Sequence, residues 1–193
     1  DIRASEKRFY QKVRDIYATA VDYDSKSEAA QLFFKKVQNK MLWAITGQTA
    51  AELIAARADA SAANMGLTTW AGAQVRQKDV TIAKNYLNAE EIDELNRIVT
   101  MYLEFAEDQA RRRKSMTMVD WNSRLDAFLS FNEREVLTHA GRLRAEVAEK
   151  LAQERYETFA AGRRQEALGL ADADDLQTLE TLHKQSITHK NDA

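Results

Sequence analysis

Glu52, Arg57 and Asp59 place two carboxylates and a guanidinium within eight consecutive positions, the group types that proton transfer on an anionic substrate needs. On a helix, positions 52, 56 and 59 share one side and position 57 points roughly 100° away. The carboxylates and the arginine would then bracket a ligand where the helix ends. The same charges also read as a solvated edge. The stretch that follows, 57–84, runs RADASAANMGLTTWAGAQVRQKDVTIAK and adds Asn64, Thr68, Thr69, Trp70, Lys78 and Lys84 to Arg57 and Asp59. These suit a polar or anionic ligand, with Trp70 as a stacking face. The plainer alternative makes Trp70 a core plug and the threonines turn formers. Met65, Leu67, Trp70 and Val75 give the stretch apolar anchors that a disordered linker lacks.

Other chemistries find no support. The chain has no cysteine, which removes thiolate chemistry, disulfides and cysteine–zinc sites. Its histidines, His139, His183 and His189, sit in no catalytic motif. Glu180-x-x-His183 has the spacing of half a di-metal carboxylate site, but such bundles need two of these pairs with further glutamates. Neither GxxxxGK[ST] nor GxGxxG occurs. No metal and no cofactor is therefore expected. A net charge of −2 lacks the basic excess of a dedicated nucleic-acid binder. No apolar run approaches the roughly 20 residues needed to cross a bilayer, so no membrane partner and a cytoplasmic location are expected.

The elements that must position these residues read as helices throughout. Proline breaks helix interiors, and none occurs in 193 residues. The expected fold is all-α, a multi-helix bundle with one long loop between the third and fourth helices. Phe9, Val13, Ile16, Tyr17 and Ala20 pattern a first helix. Ser25 with Glu28 opens a second, closed by Gly47, and Thr49 with Glu52 opens a short third. After the loop, Asp79 is expected to cap a fourth helix carrying Val80, Ile82, Ala83, Tyr86 and Leu87. Asn88 with Glu91 opens the longest pattern, and Thr117 with Asp120 another. Asn132 with Glu135 is expected to start a helix bearing Val136, Ala140, Leu143, Val147 and Leu151. Gly162 and Gly169 then read as breaks. The division expected is a helical domain at 1–160, a short helical appendage at 161–185 and a mobile tail at 186–193. A start at Asp1, without methionine and already helix-patterned, is the expectation for part of a longer protein.

The runs DIRASEKRFYQKVRDIYATAVDYD, GQTAAELIAARADASAANMGLTTWAGAQVRQKDVTIAKNYLN and LNRIVTMYLEFAEDQARRRKSMTMVDWNSRLDAFLSFNE resemble the C-terminal part of the RhuM family of virulence-associated bacterial proteins. The resemblance implies a DNA-binding-like region N-terminal to this sequence. Some relatives are joined to Fic-type domains, but the Fic histidine loop does not occur here and that activity does not carry over. The family transfers no catalytic residues. The reading this favours is a helical module with a binding or assembly role that follows a DNA-binding region, its polar loop receiving a ligand or phosphate. Self-association, and nucleic acid contacted through the N-terminal region, are the partnerships expected. The alternative is a toxin-type enzyme acting on a nucleotide or nucleic acid, with Asp59 or Glu52 as base and Arg57, Lys78 and Lys84 holding phosphates.

Overall fold

The computed structural model describes residues 28–112 and 115–191, with positions 11, 14, 15, 18–24 and 26 before them; side chains are described to residue 179, except at 29 and 30. Phe9, Val13, Ile16 and Tyr17 of the first expected helix, and the Ser25 cap of the second, lie outside the described residues; positions 11, 14 and 15 are helical and Ala20 is buried. Among those described, five α-helices and three 3-10 turns make an all-α protein without strands. The helices are α1 (Glu28–Thr46), α2 (Ala50–Arg57), α3 (Ala89–Arg111), α4 (Met118–Phe131) and α5 (Ala145–Asn191).

Local chemistry sets most of the boundaries. Gly47 ends α1 with φ of 66° while its N–H returns to the Trp43 carbonyl. Thr49 and Glu52 form the reciprocal box that starts α2, Asn88 and Glu91 the one that starts α3, and Thr117 and Asp120 the one that starts α4. Each box satisfies first-turn N–H groups that the helix cannot satisfy itself.

Two apolar clusters share α1. In the first, Phe33, Val37, Met41 and Ala44 of α1 meet Ile98, Tyr102 and Ala106 of α3 and Trp121, Leu125 and Leu129 of α4. The buried Lys40 closes this side by donating to Asn122 at 3.0 Å and to Asp126. In the second, Leu42, Leu53, Ile54 and Ala58 are covered by Met65, Leu67, Val75, Val80, Ala83, Tyr86 and Leu87, and by Ala148 and Ala152 of α5. The polypeptide between α2 and α3 thus supplies a wall of the core.

Three sequence expectations fail here. Asp79 caps no α-helix: 80–87 is a tight turn followed by the 3-10 turn Ala83–Tyr86. Val80, Ala83, Tyr86 and Leu87 are buried there while Ile82 is exposed, and the Asn85 amide and Tyr86 hydroxyl donate to the Asp79 and Val80 carbonyls at 2.8 Å, acceptors that a helix would have given to backbone N–H groups four residues on. Asn132 starts no helix either. It is the C-cap of α4, its side-chain amide donates to the Phe128 carbonyl at 2.8 Å, and Glu133 follows with φ of 56°. Residues 132–144 form a non-helical strap, and α5 begins at Ala145. Finally, α5 and not α3 is the longest helix described, and it runs through Gly162 and Gly169 without a break as far as Asn191. Neither glycine has a neighbour to avoid. A glycine weakens a helix by about 1 kcal/mol relative to alanine, too little to stop one this long.

Candidate functional site

The site anticipated around the exit of α2 exists as a hydrogen-bonded network. Arg57 Nη1 donates to the Tyr86 carbonyl at 2.8 Å and to Glu91 Oε2 at 2.6 Å, and Nη2 donates to Glu91 Oε1 at 2.6 Å. This is the bidentate fork that a planar guanidinium makes with a carboxylate. Glu91 Oε2 also accepts the Asn88 N–H at 2.9 Å, so one side chain caps α3 and holds the end of α2. Its hydrogen bond to Arg57 keeps the Glu91 carboxyl below the usual carboxylate range against the opposing effect of burial, and Arg57 is raised in return.

Glu52 is engaged at the other end of α2. Its Oε2 accepts the Thr49 N–H at 2.9 Å and its Oε1 accepts the Arg142 N–H of the strap at 2.7 Å. Burial pushes this carboxyl up, but the Thr49 and Arg142 N–H groups, with the Thr49 hydroxyl and the Arg142 charge, together hold it below its ordinary value. The strap passes close enough that a Cβ on Gly141 would lie 2.9 Å from Thr49 Cγ2. Asp59 lies past the helix end and is exposed; its Oδ1 accepts the Ser61 N–H at 2.9 Å and the Ser61 hydroxyl at 2.7 Å. Those Ser61 bonds lower its carboxyl. The two carboxylates therefore occupy opposite ends of α2 and do not converge on one substrate atom. The face they were expected to share depended on the helix reaching Asp59, and it ends at Arg57.

The loop folds back through a left-handed turn. Asn64 and Met65 have φ of 53° and 60°, and Gly66 has φ of 77°. Such a turn costs roughly 1–2 kcal/mol per non-glycine residue. It is held because Met65 is completely buried and because the Met65 carbonyl accepts the Asp59 N–H at 3.3 Å. Only glycine fits at 66, where a Cβ would sit 2.3 Å from the Arg57 carbonyl oxygen. Asn64 itself is exposed. Thr68 donates its N–H to the Asn85 carbonyl at 2.7 Å and its hydroxyl to the Leu87 carbonyl; the Thr69 N–H reaches the same Asn85 carbonyl at 3.2 Å. Trp70 packs half-buried against the second cluster. Lys78 is exposed and Lys84 half-buried.

Of the residues expected to gather, Arg57 joins the Tyr86–Glu91 edge, the threonines join the 85–87 edge, and Glu52, Asp59 and Asn64 stand apart. Three contributors were missed. Asp79 is 2% exposed and its Oδ2 accepts the Arg76 N–H at 3.0 Å, tying the turn to itself. Glu91 was legible as a cap but not as the partner of Arg57, 34 residues away. Arg155 of α5 donates to the Ala55 carbonyl at 2.8 Å and to the Ala58 carbonyl, satisfying acceptors that the end of α2 leaves open. No local signal announces a cap supplied from about 100 residues away.

The fold and this network define an all-helical protein in which a polar, partly strained loop is built into the core and clamped at both ends. The sequence model described as the virulence protein RhuM family matches residues 1–167. The chain belongs to that family, and it is a RhuM-like virulence-associated protein. No curated protein and no solved structure matches it. No described helix is long and apolar enough to cross a membrane.

Proposed function

We propose that this chain is a non-catalytic binding or assembly module of a RhuM-family virulence protein, working alongside a DNA-binding region of the kind the resemblance implies. The observation that carries this reading is the engagement of the groups an enzyme would need. Arg57 is forked onto Glu91, and both oxygens of Glu52 accept backbone N–H groups. Catalysis by general acid or base requires a group within reach of a substrate proton; Glu52 is occupied, and Asp59, though exposed, lies beyond the far end of α2 from it. What the molecule offers outward instead is the distal part of α5, whose residues 164–179 are all exposed.

A narrower reading concerns the loop. Strained backbone persists where its surroundings over-determine it and clusters at ligand sites. The exposed Asn64 of the left-handed turn and the exposed Lys78 of the same loop are the groups this reading assigns to a polar or anionic ligand.

Controlled expression in bacteria tests the main reading, comparing the parent with Glu52→Gln and Asp59→Asn. The module reading expects no growth arrest by any of the three. Arrest by the parent that Asp59→Asn relieves, at unchanged melting temperature, would overturn it. For the loop, inorganic phosphate should raise the melting temperature of the parent and not of Lys78→Ala; equal shifts in both sink the ligand reading.

A further inference from the structure

Where the strap runs into α5, most backbone N–H groups go unpaired. The Ala148 N–H returns to the Arg144 carbonyl at 3.2 Å, so Arg144 stands as the N-cap, and an arginine side chain carries only donors and cannot cap. Before it, two bonds hold residues 138–144: the Gly141 N–H donates to His139 Nδ1 at 3.1 Å and the Arg142 N–H to Glu52 Oε1 at 2.7 Å. The N–H groups of Thr138, His139, Ala140, Leu143 and Arg144 meet no acceptor among the described residues. Gly141 takes φ of 87° in its place against Thr49. The same residues are nonetheless written for helix. Thr138 is exposed and of a type that caps, and no proline follows it. Leu143 stands four residues before Val147, which is 52% exposed and would be its neighbour on a helix face.

We propose that residues 138–144 form a conformational latch, which exchanges between the observed looped form and a helical form in which Thr138 is the N-cap and α5 begins at His139. A helix begun there pairs the N–H groups of 142–147 with the carbonyls of 138–143 and lengthens α5 by about 9 Å. It gives up the bonds to Glu52 and His139 and the packing of Leu143 on the second cluster. Each backbone bond is modest in net terms, and the burial of one leucine offsets a few of them, so the two forms lie close in free energy. Leu137, 8% exposed, anchors the strap ahead of the latch in both. The looped form covers the start of α2: Gly141 lies against Thr49, and the His139 ring stands perpendicular to Trp43 with centroids 4.9 Å apart. The helical form opens that surface and frees Glu52 Oε1, while Oε2 keeps the Thr49 N–H and α2 stays capped. The latch therefore governs access to the start of α2 and leaves the core intact. It is independent of the module reading, which its own growth assay decides.

Gly141→Ala separates the two forms. In the looped form its Cβ would lie 2.9 Å from Thr49 Cγ2 at a positive φ, whereas inside a helix the same change is favourable by on the order of fivefold. Relief of the left-handed position adds a comparable factor. Cα chemical shifts and amide exchange are measured by NMR on the parent, Gly141→Ala and Glu52→Gln. The last variant keeps the α2 cap, since glutamine serves in the same box, but turns a donor toward the Arg142 N–H. The expected result for Gly141→Ala is helical Cα shifts at 139–144 and amide exchange at 142–147 slowed at least tenfold, with α2 unchanged. Glu52→Gln should move the same residues in the same direction. Shifts at 139–144 of Gly141→Ala that keep the parent's values, or move to those of an unfolded chain, overturn the latch. If Gly141→Ala does not fold, Glu52→Gln decides alone: helical movement at 139–144 upholds the latch and any other values overturn it.

Discussion

Replacing Arg57 by alanine removes two charge-assisted hydrogen bonds to Glu91 and one to the Tyr86 carbonyl. Hydrogen bonds to charged groups contribute about 1.5–3 kcal/mol each when sequestered, whereas exposed ion pairs give about 0.2–1 kcal/mol. The Arg57 and Glu91 side chains are 29% and 16% exposed, so the pair lies between these limits. A loss of about 2–3 kcal/mol follows for Arg57→Ala. For a chain of this size that corresponds to a melting temperature lower by roughly 5–10 °C. Glu91→Ala should cost about 0.5–1 kcal/mol more, since it also opens the cap of α3. The assay is thermal unfolding followed by circular dichroism on parent, both single variants and the double variant. Because the two side chains share one interaction, the double variant should fall short of the summed effects by at least about 1 kcal/mol. A shift below about 1 °C for Arg57→Ala, or additive single effects, would refute the brace and return Arg57 to the pool of ligand-binding groups. The pH dependence has a fixed sign. The Glu91 carboxyl is depressed in the folded state, so its contribution is complete above the unfolded carboxylate value and is lost as pH falls through the folded one. The difference between parent and Glu91→Gln should therefore be largest above the ordinary glutamate value of 4.5 and narrow as pH falls below it.

Gly66→Ala forces a Cβ onto the Arg57 carbonyl oxygen at a positive φ and should destabilise by more than about 1 kcal/mol; equal melting temperatures would count against the left-handed turn. Gly162→Ala, by contrast, lies in open helix and should raise helicity and stabilise α5 by up to about 1 kcal/mol; a loss of helicity would restore the break expected there. Met65→Ala empties a completely buried position and should cost about 2–5 kcal/mol in urea unfolding, whereas a mobile loop would register almost nothing. Asp126→Ala leaves the buried Lys40 ammonium with only Asn122 and should lower stability by about 2 kcal/mol, an effect that Lys40→Met in the same chain should largely relieve.

The helices that could be located from sequence were those whose ends are written in neighbouring residues. Thr49 with Glu52, Asn88 with Glu91 and Thr117 with Asp120 all close reciprocal caps, because both halves of such a box lie within one turn. Asn132 with Glu135 has the same spelling and starts nothing, since Asn132 is already used to finish α4. A cap signal states that a helix can begin, and neighbouring elements decide whether it does. At the candidate site the residue types were legible but not their commitments. Arg57 announced a guanidinium at a helix exit, while its partner Glu91, the Arg155 cap and the Arg142 N–H that takes up Glu52 all come from distant parts of the chain. The buried loop was legible only in part: Met65, Leu67, Trp70 and Val75 marked it as anchored, yet its role as a wall of the second cluster depends on α5 closing over it.

The unbroken α5 has a mechanical meaning. Its first turns are seated by Ala148 and Ala152 and pinned through Arg155 to the end of α2, and no described residue between there and Asn191 acts as a hinge. It is a stiff pointer fixed at one end. Residues 164–191 span about 42 Å as helix, so a tilt of about 5° at the seat moves their far end by about 4 Å, a distance comparable to a side chain. Any small repacking beneath Met65 or Tyr86 is thus enlarged at the tip, and whatever grips the tip pulls directly on the loop's support.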